Sequence, residues 1–207
     1  MEIEAKFAVP DEATWLKLQT VEQIADYALS PGETKQVHDT FMDTPDRAIL
    51  ASRHVCRRRE MGAQIVMTLK SKQVVTGAVH HREELEITLE RELPIGQWPP
   101  SEIRDRLLSL IGDVPLTPLF DQHQTRIIRW VTHAGQADRV VAEMSVDRVE
   151  LLRSGKERHY FEVEFELKGA GTEADLAVIA RSIARDWNLQ PEARSKFSRA
   201  LEWSLAG

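Results

Sequence analysis

The sequence has a single cysteine and no long apolar run. Cys56 alone excludes an intrachain disulfide and a cysteine-based metal site, and fits a reducing compartment. No segment approaches the roughly 18 consecutive apolar residues of a membrane span. The N-terminus also lacks the basic region and apolar stretch of a signal peptide. We therefore expect a cytoplasmic protein that does not contact a membrane.

The chain also lacks a basic excess. It has 27 Lys and Arg against 33 Asp and Glu, a net charge of -6. Its basic residues interleave with acidic ones and carry no aromatic stacking face, so nucleic acid is not an expected partner. A polyanion would have to meet a local cluster of cations. The 207 residues, 42% of them hydrophobic, suffice for one domain over 1–207. We expect this domain to be a monomer or a homodimer.

Alternating polar and apolar residues predict eight strands, joined by turn-like pieces such as Met61-Gly62-Ala63 that favour antiparallel hairpins. The predicted strands lie at 2–9, 33–43, 53–60, 64–72, 80–90, 121–133, 138–152 and 157–168. Helices are predicted after Asp11 through Leu18, after Ser101 to Ile111, and over 172–187 and 192–205. The sheet should be mostly antiparallel.

Six of these strands carry a charged face. Glu2, Glu4 and Lys6 share one side, because successive side chains on a strand point in opposite directions. The same spacing groups Arg57 with Arg59, Thr68 with Lys70, Arg82 with Glu84 and Glu86, Glu143 with Ser145 and Asp147, and Glu162 with Glu164 and Glu166. For one strand, a solvent-facing side is the simpler interpretation. For six strands whose other sides are apolar, we expect an α+β fold: a closed eight-stranded antiparallel β-barrel with helices packed outside and the charges inside.

The ordered motifs resemble the CYTH superfamily, also called triphosphate tunnel metalloenzymes. The resemblance rests on Glu2-Ile3-Glu4-Ala5-Lys6 (ExExK), Arg57-Arg58-Arg59 (RxR), Thr68-Leu69-Lys70 (TxK), Arg82-Glu83-Glu84-Leu85-Glu86 (RxExE), Glu162-Val163-Glu164 (ExE) and Ser195-Lys196 in the last helix. ExExK alone is a weak pattern, but the ordered set covers nearly the whole chain. Two features depart from the family: Arg58 replaces an aliphatic residue and should point outward, and these 207 residues do not include the CHAD domain of some bacterial members. The chain is most similar to the CYTH unit of bacterial inorganic triphosphatases.

The resemblance implies a metal-dependent site for a small-molecule triphosphate. The implied catalytic carboxylates are Glu2, Glu4, Glu162 and Glu164, and with Asp147 and Glu166 they would hold Mg²⁺ or Mn²⁺. The implied phosphate-binding cations are Lys6, Arg57, Arg59, Lys70, Arg82, Arg126 and Lys196. In the alternative interpretation, the acids only pair with facing arginines. His80 and His81 should lie at a mouth or on the surface, and Arg148, Arg153 and Arg158 should be solvated.

Several activities remain compatible with these motifs. We expect hydrolysis of inorganic triphosphate to pyrophosphate and phosphate, and nucleoside or thiamine triphosphates would present the same phosphates. A class IV adenylyl cyclase is disfavoured, because such enzymes carry an HFxGR-like segment before ExExK and this sequence begins at Met1. The carboxylate pairs argue against a noncatalytic polyphosphate-binding module.

Overall fold

The computed structural model describes residues 2–62, 64–71, 74–76, 78–136, 138–153 and 156–205. Its strands are β1 (Glu2–Val9), β2 (Gln23–Ile24), β3 (Tyr27–Leu29), β4 (Glu33–Asp43), β5 (His54–Met61), β6 (Gln64–Ser71), β7 (Val74–Thr76), β8 (Val79–Arg82), β9 (Glu84–Leu89), β10 (Thr117–His133), β11 (Val140–Arg153), β12 (Lys156–Leu167) and β13 (Gln190–Pro191). The helices are α1 (Glu12–Leu18), α2 (Ala48–Ala51), α3 (Glu102–Ile111), α4 (Glu173–Asp186) and α5 (Lys196–Leu205), with a 3₁₀ turn at Ile95–Gln97. None of the helices in these ranges is long and apolar enough to cross a membrane.

The sheet is antiparallel and runs in the order β7-β8-β1-β12-β11-β10-β4-β5-β6-β9. The predicted β-rich, antiparallel α+β fold is confirmed. The prediction of eight strands closed by hydrogen bonds was wrong, because the described residues form thirteen strands and the ladder ends at β7 and β9.

A change of partner at Glu83 explains much of this difference. The strand predicted at 80–90 is divided into β8, which pairs with β1, and β9, which pairs with β6. At the junction the Ser71 N–H donates to the Glu83 carbonyl at 3.0 Å. The continuous chain at Glu83 therefore passes directly from β8, near one end of the sheet order, to β9 at the other end, and no ladder among the described residues joins these two strands.

Strand register brings the charged sets onto one face, called here the inner face. Glu4 lies opposite Glu166 on β12, and Lys6 lies opposite Glu164. On the other side of β12, Glu162 lies opposite Asp147 of β11. Directly opposed residues in an antiparallel pair project to the same side, so these side chains share one surface.

The opposite, outer face is apolar and is covered by helices. Phe7 and Phe165 pack in one cluster with Leu176 of α4, and all three side chains are fully buried. A second cluster places Leu107 of α3 against Leu69 of β6. Each such burial is worth about 1.5 to 3 kcal/mol relative to an exposed side chain. The expected external packing is observed for α1, α3 and α4.

Helix α5 departs from that expectation, because it packs on the inner face at one end of the sheet. Its Ala200 contacts the cluster of Val149, Leu151 and Tyr160. Its Phe197 ring lies 5.2 Å from the ring of Phe41 on β4. The inner side of β11 changes from acidic to apolar after Asp147, and this apolar end accounts for the position of α5.

Candidate functional site

The inner face surrounds a cavity of about 460 Å³. Most of the predicted site residues line it: Glu2, Glu4, Lys6, Arg57, Arg59, Lys70, Arg82, Arg126, Glu164, Glu166 and Lys196. Asp147 and Glu162 are completely buried and lie next to this lining. The structure therefore gathers predicted site residues from seven separate strands and the last helix in and beside one cavity lining.

Three carboxylates, Asp147, Glu162 and Glu164, form a compact group that we call the acidic triad. One oxygen from each lies within 4.8 Å of the other two. Asp147 and Glu162 are opposed across β11 and β12, and Glu164 follows two residues later on the same face. Carboxylate oxygens at this spacing suit a hard divalent cation such as Mg²⁺ or Mn²⁺. The donor set of the triad fits the metal that the sequence implied.

Cations neutralise the triad from two directions. The Lys196 Nζ lies 3.0 Å from Asp147 Oδ2 and 2.8 Å from Glu164 Oε2, and it also contacts Glu162. Arg126 donates to both oxygens of Asp147 at 2.9 and 2.7 Å. These contacts let three carboxylates remain buried together.

The pKa values of the triad reflect competition between burial and these cations. Burial alone would raise the pKa of Glu164, but Lys196, Lys6 and Arg126 hold it well below its usual range. At Glu162 burial dominates, and the pKa is raised. Burial would lower the pKa of Lys196, but the three carboxylates raise it instead. Near neutral pH, Glu164 is ionised and Lys196 is protonated.

A second group of charges surrounds the two acids of β1. Lys70 Nζ lies 3.2 Å from Glu2 Oε1, and Arg82 contacts Glu2 and also Glu4 at 3.4 Å. Lys6 Nζ lies 3.3 Å from Glu4 Oε1. The lining acids therefore pair with facing cations, as the alternative interpretation expected. They do so around the same cavity that the metal-site interpretation requires.

Glu166 extends the row of acids toward one end of the cavity. It is opposed to Glu4 on one side and to Glu143 on the other. Lys168 Nζ lies 2.5 Å from its Oε1. Burial raises the pKa of Glu166, Lys168 opposes this shift, and the charges of Glu2 and Glu143 add to it.

Asp39 is a buried acid that the sequence analysis did not assign. Its two oxygens accept from Arg59 at 2.7 and 2.8 Å, and one also accepts from Gln124 at 2.8 Å. Arg57 lies beside this pair and donates to Thr68 Oγ1 at 3.0 Å. The sequence signal that could have identified Asp39 is its position between Val37 and Phe41, two apolar residues on the same face of β4. Other unassigned lining residues are Phe41, Arg53, His54, Glu143, Ser145, Ser195 and Ser198.

The prediction for His80 was wrong. His80 is fully buried opposite Glu4, because β8 continues the inner face of β1. Burial, together with the nearby charge of Lys6, lowers its pKa. His81 projects to the other side and is partly exposed, 3.8 Å from Glu173.

Three of the arginines expected outside the site lie away from the cavity lining: Arg58, Arg148 and Arg158. Arg58 pairs with Glu60 at 2.8 Å, as its outward direction predicted. Arg148 is partly exposed, and Arg158 is exposed. The side chain of Arg153 lies outside the described part of the chain.

Comparisons with known proteins bear on the family and the fold. The CYTH domain model matches residues 1–201. The inorganic triphosphatase of Haemophilus influenzae is 23% identical over 201 residues, which are 96% of this chain and 53% of that protein. This chain thus spans about half the length of that curated relative.

Two solved structures share the fold. A proposed adenylyl cyclase from Hippeastrum, described as having a dominant triphosphatase activity, superposes with a TM-score of 0.72 at 18% identity over 98% of this chain and 96% of that one. A proposed adenylate cyclase from Bacillus halodurans superposes with a TM-score of 0.63 at 21% identity over 96% of each chain.

Replacing Asp39 tests the buried arginine contacts. Asp39→Asn should lower the free energy of unfolding by about 2 to 3 kcal/mol at pH 7, because Arg59 loses its ionic partner. Burial would raise the pKa of Asp39, but Arg59 and Arg57 hold it below its ordinary value. Its stabilisation is therefore present above the unfolded pKa of about 4 and is lost as the pH falls through the folded pKa.

Urea unfolding between pH 7 and pH 2 measures this difference. The difference in free energy of unfolding between wild type and Asp39→Asn should become smaller toward low pH. Asp105→Asn is the control, because the Asp105 side chain is 73% exposed, and we expect little change at any pH. An equal loss for Asp39→Asn at pH 7 and pH 2 would contradict the ionic account.

Proposed function

Because the chain belongs to the CYTH domain family, we propose that it is a metal-dependent triphosphatase that hydrolyses inorganic triphosphate to pyrophosphate and phosphate. The observation that carries the proposal is one cavity of about 460 Å³ lined by both cations and carboxylates. A polyphosphate-binding module would need only the cations. The similarity to the inorganic triphosphatase of Haemophilus influenzae supports the choice of substrate.

The cationic side chains would bind and orient the three phosphates. Arg57, Lys70 and Arg82 approach the cavity from β5, β6 and β8, while Arg126 approaches from β10. Cations on several sides can hold a flexible chain of phosphates in one orientation. Phosphoryl transfer depends mainly on such positioning and on charge stabilisation.

Lys6 would stabilise charge rather than accept a proton. Burial would lower its pKa, but Glu164, Glu4 and Glu162 together raise it. The ammonium group is therefore retained at neutral pH. It lies 2.8 Å from Glu164 Oε1, at the boundary between the carboxylates and the phosphate-binding cations.

The carboxylates would hold Mg²⁺ or Mn²⁺ at two places. The acidic triad would supply one set of oxygen ligands, and Glu2, Glu4 and Glu166 would supply the other. An ion held by these carboxylates would supply two things: neutralisation of phosphate oxygens and a coordinated water of lowered pKa. Burial of the triad in turn excludes bulk water from its carboxylates, which strengthens their electrostatic contacts.

Removing one metal-binding charge should abolish most turnover. Glu4→Gln and Glu164→Gln keep the side-chain volume, and each should lower kcat for tripolyphosphate by about 100-fold or more. Phosphate release with Mg²⁺ or Mn²⁺ measures the effect, and a chelator should stop the wild-type reaction. Glu157→Gln is the matched control, because Glu157 is exposed. Wild-type turnover by both site variants at saturating metal would make these carboxylates structural only.

Removing a phosphate-binding cation should change both kinetic constants. Arg57→Ala and Lys70→Ala should each raise KM and lower kcat by about 10-fold or more, because the cation contacts bound substrate and the transition state. Folding should change little, since burial and neighbouring cations already lower the pKa values of both Lys70 and Arg57. Arg158→Ala, at an exposed position, should alter neither constant. Equal losses at Arg57 and Arg158 would refute the assignment of the inner face.

A further inference from the structure

The ammonium group of Lys196 stands in the middle of the acidic triad. Its Nζ lies 3.0 Å from Asp147 and 2.8 Å from Glu164, and it also touches Glu162. Among the described residues, this triad is the one group of three or more acidic, histidine or cysteine side chains whose ligand atoms converge within 4.8 Å. One cation of the chain thus contacts every member of the best-formed metal-ligand set.

Lys196 and a divalent ion cannot both contact one carboxylate oxygen of each triad member at the same time. Mg²⁺ and Mn²⁺ lie about 2.1 Å from carboxylate oxygens, so an ion bound to all three would occupy nearly the position of the ammonium nitrogen. Two cations at such separations repel strongly in a buried site. Occupation of the triad by one therefore requires departure of the other.

We propose that Lys196 is an exchangeable counter-ion, which holds the triad until metal binds there and then moves onto a phosphate of the substrate. This inference rests on the proposed function and deepens it. Lys196 lines the cavity, and its side chain is 13% exposed, so it has a route from the triad into the cavity. Its flexible four-carbon chain and three N–H donors allow both sets of contacts.

The rest of α5 can stay in place during this exchange. Phe197 is fixed against Phe41 and Phe120, with ring centroids 5.2 and 5.6 Å apart. Arg199 contacts Glu162 at 3.3 Å, and its guanidinium carbon lies 3.4 Å from the centre of the Tyr160 ring. These contacts anchor the helix independently of Lys196, so only its side chain has to move.

Charge balance gives the exchange an order. Four cations contact the three carboxylates of the triad: Lys6, Arg126, Lys196 and Arg199. Two of them are shared with other acids, Lys6 with Glu4 and Arg199 with Glu192, so a free divalent ion approaches carboxylates whose charge is already largely offset. A triphosphate attracts both the ion and the ammonium of Lys196. Metal that arrives with triphosphate should accordingly displace Lys196 from the triad more readily than free metal does.

The test separates metal binding from triphosphate binding. In Lys196→Met, calorimetric affinity for Mn²⁺ without any phosphate should rise about 10-fold or more, because the competing charge is gone. Affinity for the Mg²⁺ complex of imidotriphosphate, which resists hydrolysis, should fall by about 10-fold. Lys35→Met is the control, since Lys35 is 46% exposed and pairs only with Glu33 among the described contacts, and it should change neither affinity.

Folded Lys196→Met with unchanged or weaker Mn²⁺ affinity would overturn the proposal. If that variant does not fold, the ¹⁵N signal of the Lys196 ammonium in wild type, assigned with Lys196→Arg, serves instead. The signal should shift on saturation with Mg²⁺ and imidotriphosphate, and an unmoved signal would equally refute exchange. Both readouts measure binding without turnover. Lack of hydrolysis by wild type, with Mn²⁺ affinity still raised in Lys196→Met, would reject the proposed function and leave the exchange standing.

Discussion

Burial of many charges on one face of a sheet is the constraint on which the structure depends. Asp147 and Glu162 are completely excluded from solvent, and Lys6 is 1% exposed. Each of these groups would be strongly unfavourable alone, because a buried charge loses its hydration. The structure meets the cost with short contacts to opposite charges on neighbouring strands and on α5. The same contacts hold the candidate ligands for phosphate and metal in place.

Strand register makes these contacts possible. A slip of one residue between β1 and β12 would send Lys6 to the apolar face and separate it from Glu164. The outer face reinforces the correct register, because Phe7 and Phe165 must meet the helices there. Helix α5 then brings Lys196 to the same charges from the other side. Hydrophobic packing outside and ion pairing inside thus favour one alignment of the strands.

The sequence predicted the alternating faces well, because a strand's two-residue period is local. The caps at Asp11 and Ser101 were equally local, and both accept a backbone N–H as expected. The change of partner at Glu83 depends on how distant strands curve, which no local pattern records. The burial of His80 follows from that same long-range pairing. The position of α5 on the inner face could not be predicted for a different reason, because its apolar residues could pack on either face of the sheet.

The proposed function requires the cavity lining to recognise the phosphates themselves. The most direct measurement is metal-dependent phosphate release from tripolyphosphate, ATP and thiamine triphosphate, each with Mg²⁺ and with Mn²⁺. We expect release from all three substrates to depend on metal, with the highest kcat/KM for tripolyphosphate. Absence of release from every substrate, or a higher kcat/KM for ATP or thiamine triphosphate, would contradict it.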